Sequence, residues 1–381
     1  MIKTGQKGLD LEERLRAYFW GAGYFALRGV PFEIDELEVT DIDLWLYERP
    51  AAAARRRMIV DIKNKKRSKA VERIVWAKGL ASILGVDNAI VAAKDYRLET
   101  EHLAKKAGVI FFGGAALKRI EDSKKLDVGF SLAEEDLIFQ IRSVDNGRKT
   151  RDWIETFSRL KRSVLDNLGE GSLNKSLSSF CYFAAQTVEA SPCSFPAFVA
   201  TRLTHYAASI SLLSLDFILA NLNFSSIDDR SRAIENAVRF GTVGGKADLK
   251  SIRVGLGLVS SYATNGPAVA AEIEKKFFAD AGSINAGIIS EIVRKIKIGS
   301  VFSAARELQV SAYSETPLSG ESLSIESRSS LGALLDFAEI DRRAFAAASI
   351  VAAGTVVQLD EGESSASGQA ALQLDPTPKT T

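Results

Sequence analysis

Two short stretches, TDIDLWLYE and VDIKNKK, place carboxylates and a lysine where hydrolytic chemistry could use them. Both read as β-strands, in which alternate side chains share a face. In the first, Val39, Asp41, Asp43 and Trp45 fall on one side and Ile42, Leu44 and Leu46 on the other. In the second, Ile59, Asp61 and Lys63 share a side, opposite Met58, Val60 and Ile62. Paired as a hairpin, the strands bring Asp43 to face Asp61 and Lys63. Two carboxylates and the Ile62 backbone carbonyl are hard oxygen donors suited to Mg²⁺ (or Mn²⁺), which takes few protein ligands and keeps several waters. Lys63 could then orient a water, or help deprotonate it, for attack on a phosphodiester whose charge the cation offsets. A plain salt-bridged edge strand accounts equally well for Asp61-x-Lys63 taken alone.

The elements that must position these groups follow the hydrophobic periodicity. GLDLEERLRAYFWGAGYFAL repeats apolar residues at Leu11, Leu15, Tyr18, Phe19 and Ala22, one face of a helix, and Gly23 stops it. Pro50 and the alanine run between the two acidic strands fit a hairpin connection. A helix over 69–84, the apolar run NAIVAAK, a second helix in ETEHLAKKAG and the short run VIFFGG follow. That order predicts an α/β sandwich: a mixed sheet flanked by helices over 1–122. A composition change marks 123–135 as a linker, and 136–358 reads as a mainly helical second domain. The Ser/Gly/Pro-rich residues 359–381 read as a disordered tail.

The net charge of +1 divides unevenly, with about +6 in residues 1–125 and −5 in the remainder. Residues 55–73 carry nine basic side chains against two acidic ones. This points to a polyanion partner such as nucleic acid, although a solvated charged edge has the same composition. Arg55, Arg56, Arg57, Lys65, Lys66, Arg67 and Lys69 are the expected phosphate contacts. Two cysteines without a CxxC pair indicate neither a disulfide framework nor a zinc ribbon. No signal-peptide pattern opens the chain, and Asp216 interrupts the apolar stretch HYAASISLLSLDFILANLNF. A cytoplasmic protein with no membrane span is expected. FGTVGGKADLK lacks the P-loop frame, SLNK lacks partners for a Ser-x-x-Lys site, and the only two histidines, His102 and His205, fall in separate expected domains, against a histidine-based metal site or Ser-His-Asp triad. Trp20, Trp45, Trp76 and Trp153 are expected as core or interface aromatics rather than base-stacking platforms.

Over residues 5–120 the chain resembles the PD-(D/E)xK nucleases, in particular Holliday-junction-resolvase-like and Mrr-type restriction endonuclease domains. Gly8 stands four residues before Glu12, and Gly23-Tyr24 follows, as in the opening helix of that superfamily. TDIDLWLYE is similar to its acidic-Ile-Asp-apolar strand and VDIKNKK to its (D/E)-x-K strand, with aspartate at Asp61 where glutamate is commoner. The resemblance implies a restriction-endonuclease-like fold and a catalytic set of Glu12, Asp43, Asp61 and Lys63. It also implies Mg²⁺ (or Mn²⁺) on Asp43, Asp61 and the Ile62 carbonyl, and DNA as the substrate in bacterial defence or DNA processing. Glu13 competes with Glu12 for the helix position, and either acid is also explained by the helix dipole. RNA as substrate, a non-catalytic binding module, and a homo-oligomer or protein partner engaged through the helical domain are the open alternatives.

Overall fold

A computed structural model describes residues 4–35, 37–63, 69–94, 97–122, 130–145, 152–241, 246–318 and 320–349. The expected tail at 359–381, the centre of the linker, and Lys65, Lys66 and Arg67 lie outside the described residues.

The N-terminal part is a five-stranded mixed sheet in the order β1 (Phe25–Ile34), β2 (Leu37–Glu48), β3 (Arg56–Lys63), β4 (Asn88–Ala93), β5 (Ile110–Phe112). β1–β2 and β2–β3 pair antiparallel, whereas β3–β4 and β4–β5 pair parallel. α1 (Thr4–Gly21) precedes the sheet. α2 (Ala70–Ile83) and α3 (Leu98–Ala107) make the crossovers that parallel strands require, and α4 (Gly114–Asp122) follows β5. β1 was not expected as a strand, because Pro31 and Gly29 interrupt its alternation. Both are compatible with its place at the sheet edge: proline needs no ladder donor there, and Gly29 takes a φ of +55° that other residues avoid.

Strand alternation sorts the core as the sequence predicts. Leu44, Leu46, Met58, Val60 and Ile62 face one way and pack with Leu11, Leu15 and Phe19 of α1 and Leu117 of α4. Trp45, Tyr47, Ile59 and Val91 face the other way, where Ile74 and Ala77 of α2 meet them. This second face does not end at α2. Its cluster continues without interruption into the helical half, so the sheet and the helices share one core.

That half comprises α5 (Glu134–Asp145), α6 (Asp152–Asn167), α7 (Glu170–Glu189), α8 (Phe195–Asn221), α9 (Ile227–Phe240), α10 (Lys246–Tyr262), α11 (Gly266–Ser283), α12 (Ala286–Lys295), α13 (Ile298–Tyr313), α14 (Ile325–Phe337) and α15 (Arg342–Ser349). α5 begins inside the segment read as linker. α6 shows why these residues choose helix: Trp153, Phe157, Leu160 and Val164 recur on one buried stripe. α8 is buried along most of its length, with α7 and α13 packed against it, and its Ser194 cap accepts a hydrogen bond from the Ala197 amide. Among the described residues α8 is the one helix long and apolar enough to cross a membrane, and it is buried within the protein. His205 on α8 is fully enclosed, 2.7 Å from the Ser311 hydroxyl, and burial pushes its imidazole down to about 4.

Polar contacts tie the halves together. Arg28 of β1 binds Glu12 and Glu13 of α1 and, through two nitrogens, Glu135 of α5. Glu134, also buried, takes Lys161 at 2.6 Å and the Tyr313 hydroxyl at 2.5 Å. Arg28 and Glu134, both buried, thus meet opposite charges, the condition under which burial is tolerated.

Candidate functional site

β2 and β3 stop pairing beyond Leu44 and Val60, and the strands part at that end of the sheet. The freed backbone groups there need other partners. Asp43 supplies one: its Oδ2 accepts the Ile62 N–H at 2.6 Å. Asp61 projects from β3 on the face opposite Ile62, as alternation requires. Its two oxygens receive Arg73 from the first turn of α2, Nε at 2.8 Å and Nη2 on the second oxygen. The Lys63 ammonium lies 3.7 Å from Asp61 Oδ1. Asp41, Asp43, Asp61, Lys63, Arg73 and Trp76 line a cleft of about 140 Å³.

Asp43, Asp61 and Lys63 thus converge as the alternation predicts. Glu12 comes to the same end from α1 but is engaged by Arg28 at 2.9 Å. Its charge nevertheless reaches Asp43, whose carboxyl is pushed up to about 6, chiefly by burial and to smaller degrees by Asp61 and Glu12. The Ile62 hydrogen bond and Lys63 oppose this shift. Glu13, the competing acid, also turns to Arg28 and accepts the Glu134 amide, so it serves the junction with α5.

Asp43 therefore carries a stability cost with a defined sign. Its carboxyl binds a proton more tightly in the fold than in the unfolded chain, where 3.8 is ordinary. The associated stability is fully present below 3.8 and is lost as pH rises through about 6. Asp43→Asn keeps an oxygen for the Ile62 amide and removes the buried charge. At pH 8 the variant is expected to be more stable than wild type by at most about 3 kcal/mol, the gap closing near pH 4, as paired thermal melts would record.

The expected phosphate contacts separate into two groups. Arg55 is excluded from the set: its side chain is 3% exposed and held by Asp216 of α8, Nε to Oδ2 at 2.6 Å and Nη2 to Oδ1 at 2.9 Å. Arg57 is spent on the Gly85 carbonyl and lies over the Phe217 ring. Arg56 is exposed, but it starts β3 while Asp61 is near its end, roughly 16 Å away at 3.3 Å per residue. Residues 55–57 therefore do not flank the cleft. Lys69, exposed and paired with Glu72 at the start of α2, is on the same helical turn as Arg73.

Sequence reasoning missed Arg73 and Arg28. No local pattern marks either, since one needs the docking of α2 on β3 and the other the unread strand β1. Trp76, expected in a core or interface, is 43% exposed at the cleft wall, while Trp45 and Trp153 are buried as expected.

Among the described residues no group of three or more His, Cys, Asp or Glu is arranged to hold a metal ion. A hard cation that retains waters needs only one or two carboxylates, which Asp43 and Asp61 can provide. The high proton affinity of Asp43 comes chiefly from its burial beside Asp61 and Glu12, a cost to the ionised carboxylate that such a cation would offset. Comparisons with family models, with curated proteins and with solved structures gave no match.

Proposed function

We propose that the chain is a metal-dependent nuclease of the PD-(D/E)xK type, with a restriction-endonuclease-like N-terminal half, that hydrolyses DNA. One observation carries the reading: Asp43 and the Asp61-x-Lys63 pair meet at the parted end of β2 and β3, inside an open cleft. The sheet order adds support, because an antiparallel hairpin of β2 and β3 followed by two parallel strands agrees with the order of elements read from the sequence.

Asp43 and Asp61 would hold a divalent cation, which when bound supplies charge neutralisation at a phosphate. The protein's own residues do the rest. Lys63, a point charge on a flexible stem 3.7 Å from Asp61, orients a water at the cleft and can exchange a proton with it. The hydrogen bond from Ile62 holds Asp43 in one rotamer, so its second oxygen is directed without further ordering cost. Glu12 is kept by Arg28 at the edge of the site and adds negative charge there.

A second reading, a nucleic-acid-binding module without turnover, is favoured by the Arg73–Asp61 pair, which already neutralises one of the two carboxylates. Labelled duplex, branched and single-stranded DNA and RNA, incubated with the full chain in Mg²⁺ or EDTA, separate the two. Fragmentation of DNA in Mg²⁺ that EDTA abolishes is the expected result. Substrates bound yet left intact in Mg²⁺ and Mn²⁺ would leave only the binding module, and cleavage confined to RNA would reassign the substrate.

A further inference from the structure

We infer that Arg73 is a phosphate-contacting residue of the cleft, held on Asp61 until a divalent cation displaces it, so that cation loading and DNA binding are coupled through one guanidinium. The inference rests on the nuclease reading. It starts from the shape of the pair. Arg73 presents Nε and Nη2 to both oxygens of Asp61, and this fork fits the two free oxygens of a phosphodiester equally well. The oxygens it covers are those a cation would need.

Geometry gives the direction of the exchange. Lys63 and Arg73 both pair with Asp61, while Arg28 is shared by Glu12, Glu13 and Glu135. A divalent cation seated on the Asp61 oxygens would meet like charge from both of its partners. The side chain that leaves must be Arg73, because it sits on the carboxylate oxygens themselves, whereas Lys63 is already 3.7 Å away. Arg73 is 28% exposed at the cleft wall, with its guanidinium 5.9 Å from the ring of Trp76. From there a swing of its stem keeps it beside any strand lying in the cleft, next to Lys69. Backbone phosphates would accept the guanidinium that the cation releases, which makes the two binding events mutually favourable.

The test uses the full chain and two titrations that need no cleavage. Calorimetric titration with Mn²⁺ alone, without nucleic acid, is expected to show Arg73→Ala binding about tenfold more tightly than wild type. Fluorescence anisotropy with a labelled DNA duplex is expected to show Ca²⁺ strengthening binding over EDTA for wild type but not for Arg73→Ala. Arg73→Lys, which keeps charge and length but loses the fork, gives the same signs at smaller size and stands in should the alanine variant fold poorly. Equal Mn²⁺ affinities, or equal Ca²⁺ enhancement in wild type and variant, would overturn the coupling and leave the nuclease reading standing. Absence of Mn²⁺ binding in both proteins would overturn both.

Discussion

Lys63→Ala is expected to lower the rate of DNA cleavage about 10³-fold while leaving the fold and the affinity for duplex DNA nearly unchanged. The rate effect follows from position. Among the described residues Lys63 is the one ammonium lining the cleft, and a positioned proton-transfer group contributes about 10²- to 10⁴-fold. The small stability effect follows from exposure: its side chain is 37% exposed, and its contact with Asp61 is a long ion pair of the kind worth about 0–1 kcal/mol. Lys63→Arg tests the chemistry more sharply, because it keeps the positive charge while a guanidinium does not give up its proton. Single-turnover cleavage should therefore not recover in the arginine variant. Full activity in Lys63→Ala would end the proposed mechanism, and a lowered melting temperature would show that the lysine is structural.

The strands and helices around this site were legible because each obeys one period. β2 and β3 alternate, β4 is a short apolar run between glycine and lysine, and α2 and α3 repeat at helical spacing. Convergence of Asp43 with Asp61 and Lys63 needed only that alternation plus a hairpin. What stayed hidden depends on long-range docking. Arg73 reaches Asp61 only because α2 crosses back over β3, and Arg28 reaches Glu135 only because α6 packs on the edge strand and carries α5 beside it. The arginines at 55–57 mislead for the opposite reason: neighbours along an extended strand move away at about 3.3 Å per residue, so a basic cluster in sequence is divided in space. A two-domain reading from composition likewise has no access to the shared core beneath Trp45 and Tyr47.

Asp216 illustrates how much a lone polar residue can say. Within an apolar helix it argued against a membrane span, yet its own partners could not be read from its neighbours. In the fold its carboxylate is fully buried and receives the Tyr47 hydroxyl at 2.7 Å, Arg55 at 2.6 and 2.9 Å and Arg49 at 3.3 Å. It clamps α8 to the far ends of β2 and β3, beside the packing of Tyr47 on Phe217 and Phe302. Asp216→Ala is accordingly expected to destabilise the protein by about 3–5 kcal/mol, because it leaves a buried guanidinium without a counter-charge. Urea unfolding would register this as a lower midpoint. Asp216→Asn, which still accepts from Tyr47 but carries no charge, should lose less. Asp216→Leu combined with Arg55→Met should recover part of the loss, since removing both charges avoids the unpaired one. A loss below about 1 kcal/mol in the alanine variant would mean that water replaces the carboxylate and that the clamp contributes little. Along β2, Tyr47 and Asp43 are four residues apart, roughly 13 Å. The cleavage rate per folded molecule should therefore stay at the wild-type value in all three variants, which separates the clamp that joins the two halves from the chemistry at Asp61.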